Sequence, residues 1–518
     1  MTNGQEIGLA TSRRQLLAGA GLFVGLAVTA PLVRRALAAG SGPLFSLGVA
    51  SGDPLPDGVV LWTRLAPEPL AGGGMPNRPV NVQWQVAKDE RMRQIVRQGT
   101  VTARPEWGHS VHVEVSGLQP ARWYWYRFKV GNEVSAVGRT RTAPAVGTHP
   151  ARLRFAFASC QNYEAGYYAA YRDMAAQDLD FALHLGDYIY ERGALPGRVR
   201  QHDGPAATSL EQYRNRYALY KLDADLQAAH AAFPWIVTWD DHEVQNNYAG
   251  LIPEDSQDPQ TFRRRRAAAY QAYYEHMPLR RSALPDGASL KLYRRFAFGD
   301  LLALQVLDTR QYRSDQPCDD GLKPRCAAAL APEATMTGTD QERWLFGGLS
   351  RSHGRWNVIA QQTMMAQFNS GSDAEPIYNL DQWDGYVAAR SRLLAFLAEA
   401  RVANPVVLSG DIHSSWVSDL KSDFEKPESA TVATEFTGTS ISSDFPKDWI
   451  RRVQAALPAN PHIRFFDGAA RGYGLCTLER GLWRTDYRSV SDVTRSDSPV
   501  STLAAFRLEA GQAGAKRL

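Results

Sequence analysis

The chain has 518 residues, of which 44% are hydrophobic and 22% charged, so it is long enough for more than one domain and typical of a globular protein. Its net charge is +4, but four arginines and one acid lie in the first 38 residues. The rest has 54 basic and 53 acidic residues. This near balance gives no reason to expect a nucleic acid as the main partner.

The N-terminus has the pattern of an export signal. Ser12-Arg13-Arg14-Gln15-Leu16-Leu17 is a twin-arginine motif, an apolar stretch runs from Leu16 to Val33, and Ala36-Leu37-Ala38 fits a signal-peptidase site. A transmembrane anchor is the alternative, since 18 residues can just span a bilayer. Glycines, alanines and Pro31 favour cleavage. We therefore predict a signal over residues 1–38, twin-arginine translocation machinery as a partner during export, and a periplasmic or extracellular protein.

Residues 44–145 have an all-β pattern. Apolar residues alternate with mostly polar ones around Val80–Val86, Val111–Val115 and Tyr124–Val130, and a Gly131-Asn132 turn follows. Several short strands with turn signals predict a small β-sandwich, and the Pro- and Gly-bearing segment 143–150 is its expected linker. An adhesion module is an alternative use of such a sandwich, but no site is evident within it.

Residues 150–510 mix strands and helices, which predicts an α/β or α+β layered core. The expected strands are 153–158, 181–185, 233–239 and 356–360, with a hairpin over 296–307 that turns at Gly299-Asp300. Helices are expected at 168–176, 262–276, 340–349 and 386–400.

Four cysteines are few for this length. Cys318 and Cys326 flank a short polar loop and could form a disulfide outside the cytoplasm, with two free thiols as the alternative. Cys160 and Cys476 lie in apolar surroundings, where a buried core thiol is the ordinary interpretation.

Metal-ligand side chains follow four apolar strand-like runs. In an α/β sheet, ligands bind beyond the carboxyl ends of the strands, so four such ends could converge on one metal cluster. Each motif alone is weak, because a strand-end Asp often caps a helix. The four segments are Ser159-Cys160-Gln161, Gly186-Asp187-Tyr188-Ile189-Tyr190, Trp239-Asp240-Asp241-His242-Glu243 and Gly410-Asp411-Ile412-His413.

The chain after the signal resembles the PhoD-type alkaline phosphatases, relatives of the purple acid phosphatases within the calcineurin-like metallophosphoesterases. Longer runs carry the resemblance: Ser46 to Asp53, Trp239 to Val244 with Asn246-Asn247, Leu307 to Arg313, and Leu408 to Ser414. It implies a metallophosphoesterase layered β-sheet core behind an N-terminal sandwich, and an exported metal-dependent phosphatase that hydrolyses phosphate mono- or diesters.

The resemblance also implies a ferric ion (Fe3+) beside calcium (Ca2+). We assign Cys160, Asp187, Tyr190 and His413 to iron, since thiolate and phenolate donors suit a trivalent ion. Asp187 is expected to bridge to calcium, where Asp241 and Asp411 add hard oxygens. Gln361 and Gln362, after another strand, are further candidates.

Three segments depart from the broader superfamily in a way that fits calcium. Ser159-Cys160-Gln161 replaces the usual Asp-x-His, and Asp240-Asp241-His242-Glu243 replaces Gly-Asn-His-Glu. Gly410-Asp411-Ile412-His413 replaces Gly-His-x-His. Two neutral ligands have thus become carboxylates, which weakens the case for a zinc or manganese pair.

The expected reaction is in-line displacement at phosphorus by a metal-activated hydroxide or oxide. Arg310 is the candidate clamp on the phosphoryl oxygens, with a structural salt bridge as its alternative. His242 could donate a proton to the leaving group or hydrogen-bond the phosphate, or instead orient Asp241. A phosphodiesterase or phospholipase D on the same cluster is the runner-up. A phosphate-binding protein without catalysis would need no such ligand set.

Overall fold

The computed structural model describes residues 42–426 and 428–518, so the predicted signal over residues 1–38 lies outside the described residues. None of the helices in the described part of the chain combines the length and hydropathy needed to cross a bilayer.

The first eight strands form the N-terminal β-sandwich that the alternating pattern predicts. The two sheets share an apolar core that includes Val59, Leu61, Val82 and Tyr126, because alternate residues of each strand face inward. One sheet contains β1, β2 and β5, and the other contains β3, β4, β6, β7 and β8. The strands are β1 (Val49–Leu55), β2 (Gly58–Arg64), β3 (Val80–Ala87), β4 (Ile95–Ala103), β5 (Ser110–Val115), β6 (Trp123–Val130), β7 (Glu133–Val134) and β8 (Gly138–Arg141).

Sixteen further strands follow in the described residues. They are β9 (Arg152–Ala158), β10 (Phe181–His184), β11 (Trp235–Val237), β12 (Arg294–Phe298), β13 (Leu302–Val306), β14 (Leu322–Lys323), β15 (Trp356–Ala360), β16 (Tyr378–Asn379), β17 (Pro405–Ser409), β18 (Ser415–Lys421), β19 (Thr431–Thr437), β20 (Ile463–Asp467), β21 (Arg471–Glu479), β22 (Leu482–Val490), β23 (Val500–Glu509) and β24 (Lys516–Arg517).

Two large sheets organise these strands. The first has the order β24-β23-β22-β21-β9-β10-β11-β1-β2-β5, and the second has the order β12-β13-β15-β17-β19-β18-β20. Within them β9, β10 and β11 are parallel, as are β13, β15, β17 and β19. The sandwich is therefore joined edge to edge to the first sheet, since β1 pairs with β11 through Gly52 and Trp235.

Helices cover the outer face of each large sheet, which gives four layers. The helices are α1 (Ala169–Ala175), α2 (Leu210–Lys221), α3 (Ala224–Ala232), α4 (Pro259–His276), α5 (Ala327–Leu330), α6 (Gly338–Leu349), α7 (Val387–Glu399) and α8 (Lys447–Ala456). Helices α1 to α4 pack on the first sheet, and α6 to α8 pack on the second. Between the sheets lies a core that includes Phe155, Phe157, Val306 and Leu408.

The predicted fold class, an α/β layered core with an N-terminal all-β sandwich, is confirmed. Cys318 and Cys326 form the predicted disulfide. The continuous first sheet makes the sandwich part of the scaffold, whereas the sequence suggested a module beyond a linker. The boundaries 44–145 and 150–510 stay a prediction.

Candidate metal centre

Side chains from three loops of the first and second sheets converge on one buried group. A sulfur, a carboxylate oxygen and an imidazole nitrogen from Cys160, Asp187 and His413 all lie within 4.8 Å of one another. Tyr190 joins them: its hydroxyl donates to Asp187 Oδ2 at 2.9 Å and lies 3.1 Å from His413 Nε2. All four residues assigned to iron are therefore in one place.

Two further groups of potential ligands, mostly carboxylates, adjoin the first. Potential ligand atoms of Asp187, Asp241 and His242 lie within 4.8 Å of one another, as do those of Asp240, Asp241 and Asp411. Asp187 thus belongs to the first group and to that of Asp241 and His242, and Asp241 links the latter to Asp240 and Asp411. A bridging carboxylate requires such a shared position. Asp240 was not assigned as a ligand from the sequence.

The loops carry these residues in an uncommon backbone conformation. Cys160, Asp187, Asp411 and His413 have φ values of 58°, 55°, 65° and 54°, in the left-handed region that non-glycine residues rarely adopt. Such strain is retained where the surroundings over-determine it, most often at functional sites. Four instances at four proposed ligands indicate a site rather than ordinary turns.

Close contact between loops explains the glycines that precede the aspartates. A Cβ on Gly410 would overlap the hydroxyl of Ser159, and one on Gly186 would overlap Asp240. Glu243 fastens two of the loops together, because its carboxylate accepts the backbone N–H of Asp187 at 3.1 Å and that of Asp240 at 2.9 Å. The Gly-Asp motifs are therefore packing requirements of the convergence itself.

The excess of buried acidic groups in the cluster favours a bound cation. Burial, and then Asp241 and Asp240, raise the pKa of Asp187 well above its ordinary value. Burial also raises the pKa of Asp411 to about 6, against the effect of Arg310, and that of the Cys160 thiol. Burial disfavours charged Asp241 too, but Arg310 and His242 outweigh it and lower its pKa. The anions are thus only partly balanced by the protein.

Two carboxylate oxygens of the cluster have no hydrogen-bond partner among the described residues: Asp240 Oδ2 and Asp241 Oδ1 are buried and unsatisfied. Leaving such an oxygen buried is costly unless an ion or water completes its coordination. The donor set, soft and anionic on one side and all oxygen on the other, fits a trivalent transition metal beside a hard divalent cation.

His413 is prepared for metal binding by its second nitrogen. Its Nδ1 lies 2.8 Å from the carbonyl oxygen of Asp444, so Nδ1–H donates there and Nε2 keeps a lone pair. Burial lowers the pKa of His413 to about 4, which keeps the ring neutral. Ser443 Oγ also donates to the Tyr190 hydroxyl at 2.7 Å.

His242 lies at the edge of the group with one ring nitrogen committed. Its Nδ1 is 2.7 Å from Glu191 Oε2, and the other Glu191 oxygen accepts the backbone N–H of Asn246 at 3.1 Å. Burial opposes the charged ring, but Glu191 and Asp241 outweigh it and raise the pKa of His242. Glu191 and Asp241 therefore favour the protonated form of this ring.

Arg310 is fully buried, and its fork is engaged by carboxylates. Its Nε donates to Asp240 at 2.5 Å, and its two terminal nitrogens donate to Asp381 at 2.7 and 2.9 Å. One of these nitrogens also lies 3.6 Å from Asp411 Oδ1. This geometry favours the salt-bridge alternative over a clamp on phosphate.

The amide oxygens of two other candidates are already engaged in hydrogen bonds. The amide oxygen of Gln361 accepts from Thr363 and Trp383, and that of Gln362 accepts from Thr309. Their oxygens hold the second sheet's loops together and are not free for a metal.

Asp381, Glu191 and Gln382 were missed from the sequence. Asp381 binds Arg310 and Arg313, and Gln382 donates to Asp411 Oδ2 at 2.5 Å. Glu191 directly follows Tyr190, so its place beside a predicted ligand was a signal that could have been used. Asp381 follows no long strand, and nothing in its local pattern marks it.

A cavity of about 430 Å³ opens above the cluster. Asp187, Asp241, His242, Asp411 and His413 form its polar floor. Its volume is in the range of pockets that hold organic ligands rather than a phosphate ion alone.

Comparison with known proteins gives matches over most of the chain. The sequence model of the family described as "PhoD-like phosphatase" matches residues 155–487, and that of "PhoD-like phosphatase, N-terminal domain" matches residues 32–144. "Alkaline phosphatase D" of Bacillus subtilis (strain 168) is 51% identical over 519 residues, which cover 98% of this chain and 89% of that protein. A solved structure described as "Structure of PhoD" has a TM-score of 0.89 and 52% identity, over 92% of each chain.

The layered fold and these matches define a hydrolase of phosphoric esters. The chain belongs to the PhoD-like phosphatase family, and the resemblance found in the sequence is confirmed.

Proposed function

We propose that the chain is an exported alkaline phosphatase whose reaction depends on Fe3+ and Ca2+ held at the buried cluster. Cys160, Asp187, Tyr190 and His413 would hold iron, and Asp187, Asp241 and Asp411 would hold calcium. The observation that carries the proposal is that Asp187 belongs both to the group of Cys160 and His413 and to a group with Asp241, which in turn joins the carboxylates of Asp240 and Asp411. The unsatisfied oxygens of Asp240 and Asp241 support it.

The bound cations would neutralise the phosphoryl oxygens and lower the pKa of water at the site. The protein's own part is to position and to move a proton. His242, held by Glu191, would donate its Nε2 proton to the leaving oxygen. Arg310 would balance Asp240 and Asp381 and so keep the acidic loops together, which makes it a positioning residue.

Export rests on the residues of the N-terminus, where Arg13-Arg14 and Ala36-Leu37-Ala38 have the spacing of a cleaved twin-arginine signal. A mature chain recovered outside the cytoplasm and beginning after Ala38 would support it. Recovery only of uncleaved chain in the membrane would favour the anchor.

Asp187→Asn tests the shared ligand. The change keeps the shape of the side chain but removes the charge that both ions need. We expect iron and calcium content to fall together and turnover of a monoester to fall by more than about a hundredfold. Loss of a residue that only hydrogen-bonds a metal ligand already lowers metal affinity or activity by about 10- to 100-fold. Metal analysis and initial rates measure these losses. Rates on a monoester and a diester, measured side by side, also test the phosphodiesterase alternative.

Asp419→Asn is the matched control, because Asp419 is also buried but pairs with Arg464 on the far part of the second sheet. It should keep both metals and the rate. Wild-type turnover in Asp187→Asn would refute the shared-ligand assignment.

A further inference from the structure

The cavity above the cluster has a second wall that the hydrolytic chemistry does not use. This wall is apolar, and we call it the aromatic wall: Leu322, Phe368, Ile412, Phe445, Trp449 and Val453. Phosphate itself makes no use of such a surface, because burying apolar area stabilises only apolar ligands.

Most of the aromatic wall is held by the fold's core. Phe368, Ile412, Phe445 and Trp449 pack against the apolar core between the second sheet and its helices. The ring of Phe368 lies 4.9 Å from that of buried Trp416. A surface supported in this way presents a fixed shape to a ligand.

The wall is also continuous with the proposed metal ligands. Ile412 lies between Asp411 and His413 in the chain and lines the same cavity. Phe445 directly follows Asp444, whose carbonyl oxygen accepts from His413 Nδ1 at 2.8 Å. A group attached to a phosphoryl held at the cluster would therefore meet the aromatic wall.

The charges of the cavity restrict that group further. Asp320, Asp381, Asp384 and Asp444 line it in addition to the cluster, and no lysine or arginine does so among the described residues. An anionic leaving group would find no free arginine or lysine on this lining, because the arginines nearest to it are already paired with its carboxylates. An uncharged apolar group would lose only water.

Resting on the proposed function, we infer that the aromatic wall is the subsite for the leaving alcohol. The substrates it selects are phosphate esters whose alcohol carries an uncharged apolar group, aromatic or aliphatic. Trp449, which is partly exposed on α8, and Leu322, which is 42% exposed at the opening, supply the area that such a group would cover.

A series of alkyl phosphates tests the inference without a change in chemistry. Ethyl, butyl and hexyl phosphate have leaving alcohols of nearly equal basicity, so only apolar contact differs among them. Complete burial of one methylene is equivalent to about fourfold, and a half-open wall realises part of it, so kcat/KM should rise by about tenfold from ethyl to hexyl. Glycerol phosphate, with a polar alcohol, should remain near ethyl.

Trp449→Ala should reduce the ratio of the hexyl to the ethyl value several-fold, because it removes the largest ring of the wall. Trp344→Ala is the matched control: Trp344 is also partly exposed, but it lies on α6 and does not line the cavity. It should leave the ratio unchanged.

The results of the ester series distinguish failure of the subsite from failure of the proposed function. Equal kcat/KM across the series, with all esters hydrolysed, would overturn the subsite and leave the proposed function standing. Failure to hydrolyse any ester would overturn both. If Trp449→Ala does not fold, the series on the wild-type enzyme decides alone.

Discussion

Arg310 provides positive charge at the centre of a group of buried carboxylates. Asp240, Asp241, Asp381 and Asp411 all lie within 4.0 Å of its guanidinium, and the side chain is fully buried. A planar fork with several donors can serve such a set, whereas an ammonium could not. Its charge keeps loops of both sheets together, and this explains a buried arginine at a site for an anionic substrate.

Glu435 provides a test of buried charge away from the proposed ligands. It accepts the backbone N–H groups of Met365 and Ala366 at 2.7 Å and the hydroxyl of Ser409 at 2.6 Å. Burial nevertheless dominates and raises its pKa from 4.5 to about 7. The folded protein therefore holds this proton over a range of pH in which the unfolded chain has lost it.

The linkage between proton binding and folding gives the direction in which stability changes with pH. The stabilisation that protonated Glu435 contributes is present below its unfolded pKa of 4.5 and is lost as the pH rises through about 7. Relative to Glu435→Gln, the wild-type free energy of unfolding should fall by about 3 kcal/mol across this interval. Denaturant melts of both proteins between pH 4 and pH 8 measure the difference.

Glu399→Gln, at the exposed end of α7, is the control and should follow the wild type. A wild-type and Glu435→Gln difference that does not depend on pH would mean that Glu435 has the same pKa in the folded and unfolded protein.

At the level of elements, the site depends on how closely the loops after β9 and β17 approach. Gly410→Ala adds a methyl group that would overlap Ser159, so the two loops must separate. We expect the protein to fold but to lose iron and most of its turnover, because Cys160 and His413 lie on these two loops. Iron content and kcat are the measurements.

Two further variants make this prediction specific. Gly481→Ala is the control, since nothing lies within 4 Å of a Cβ there. The double variant Gly410→Ala with Ser159→Gly removes the overlapping atoms and should regain iron. If the double variant stays as empty as the single one, loop separation is not the cause.

The sequence predicts elements best where an apolar run has a clear period and a clear end. Strands β9, β10, β15 and β17 are uncharged or alternating runs, and the residues just beyond three of them are the proposed ligands. The ligand loops could be found in this way because a parallel sheet brings strand ends to one edge.

The remainder depends on tertiary contacts that no local pattern encodes. Asp381 was missed because it lies in a loop without a strand signal, and its role arises only from meeting Arg310. For the same reason Arg310 was interpreted as a phosphate clamp: the motif predicts a guanidinium near the site but not that two aspartates already hold it. The pairing of β1 with β11 is likewise a contact between distant segments.

At the scale of the whole molecule, the two large sheets bring soft and hard donors together. The sandwich extends the first of these sheets. The metal loops come from both sheets, so the cluster exists only when the sheets are packed. The complete ligand set therefore exists only in the folded chain, as the proposed export of a folded protein requires. The cavity then combines the charged floor with the aromatic wall in one opening.

The metal content of the mature protein, measured together with its phosphatase rate, is the most direct test of the account. Protein recovered after native export should contain both iron and calcium, and a strong chelator should abolish turnover until calcium is returned. Active protein that contains neither metal, and whose rate a chelator does not change, would contradict the assignment of the buried cluster.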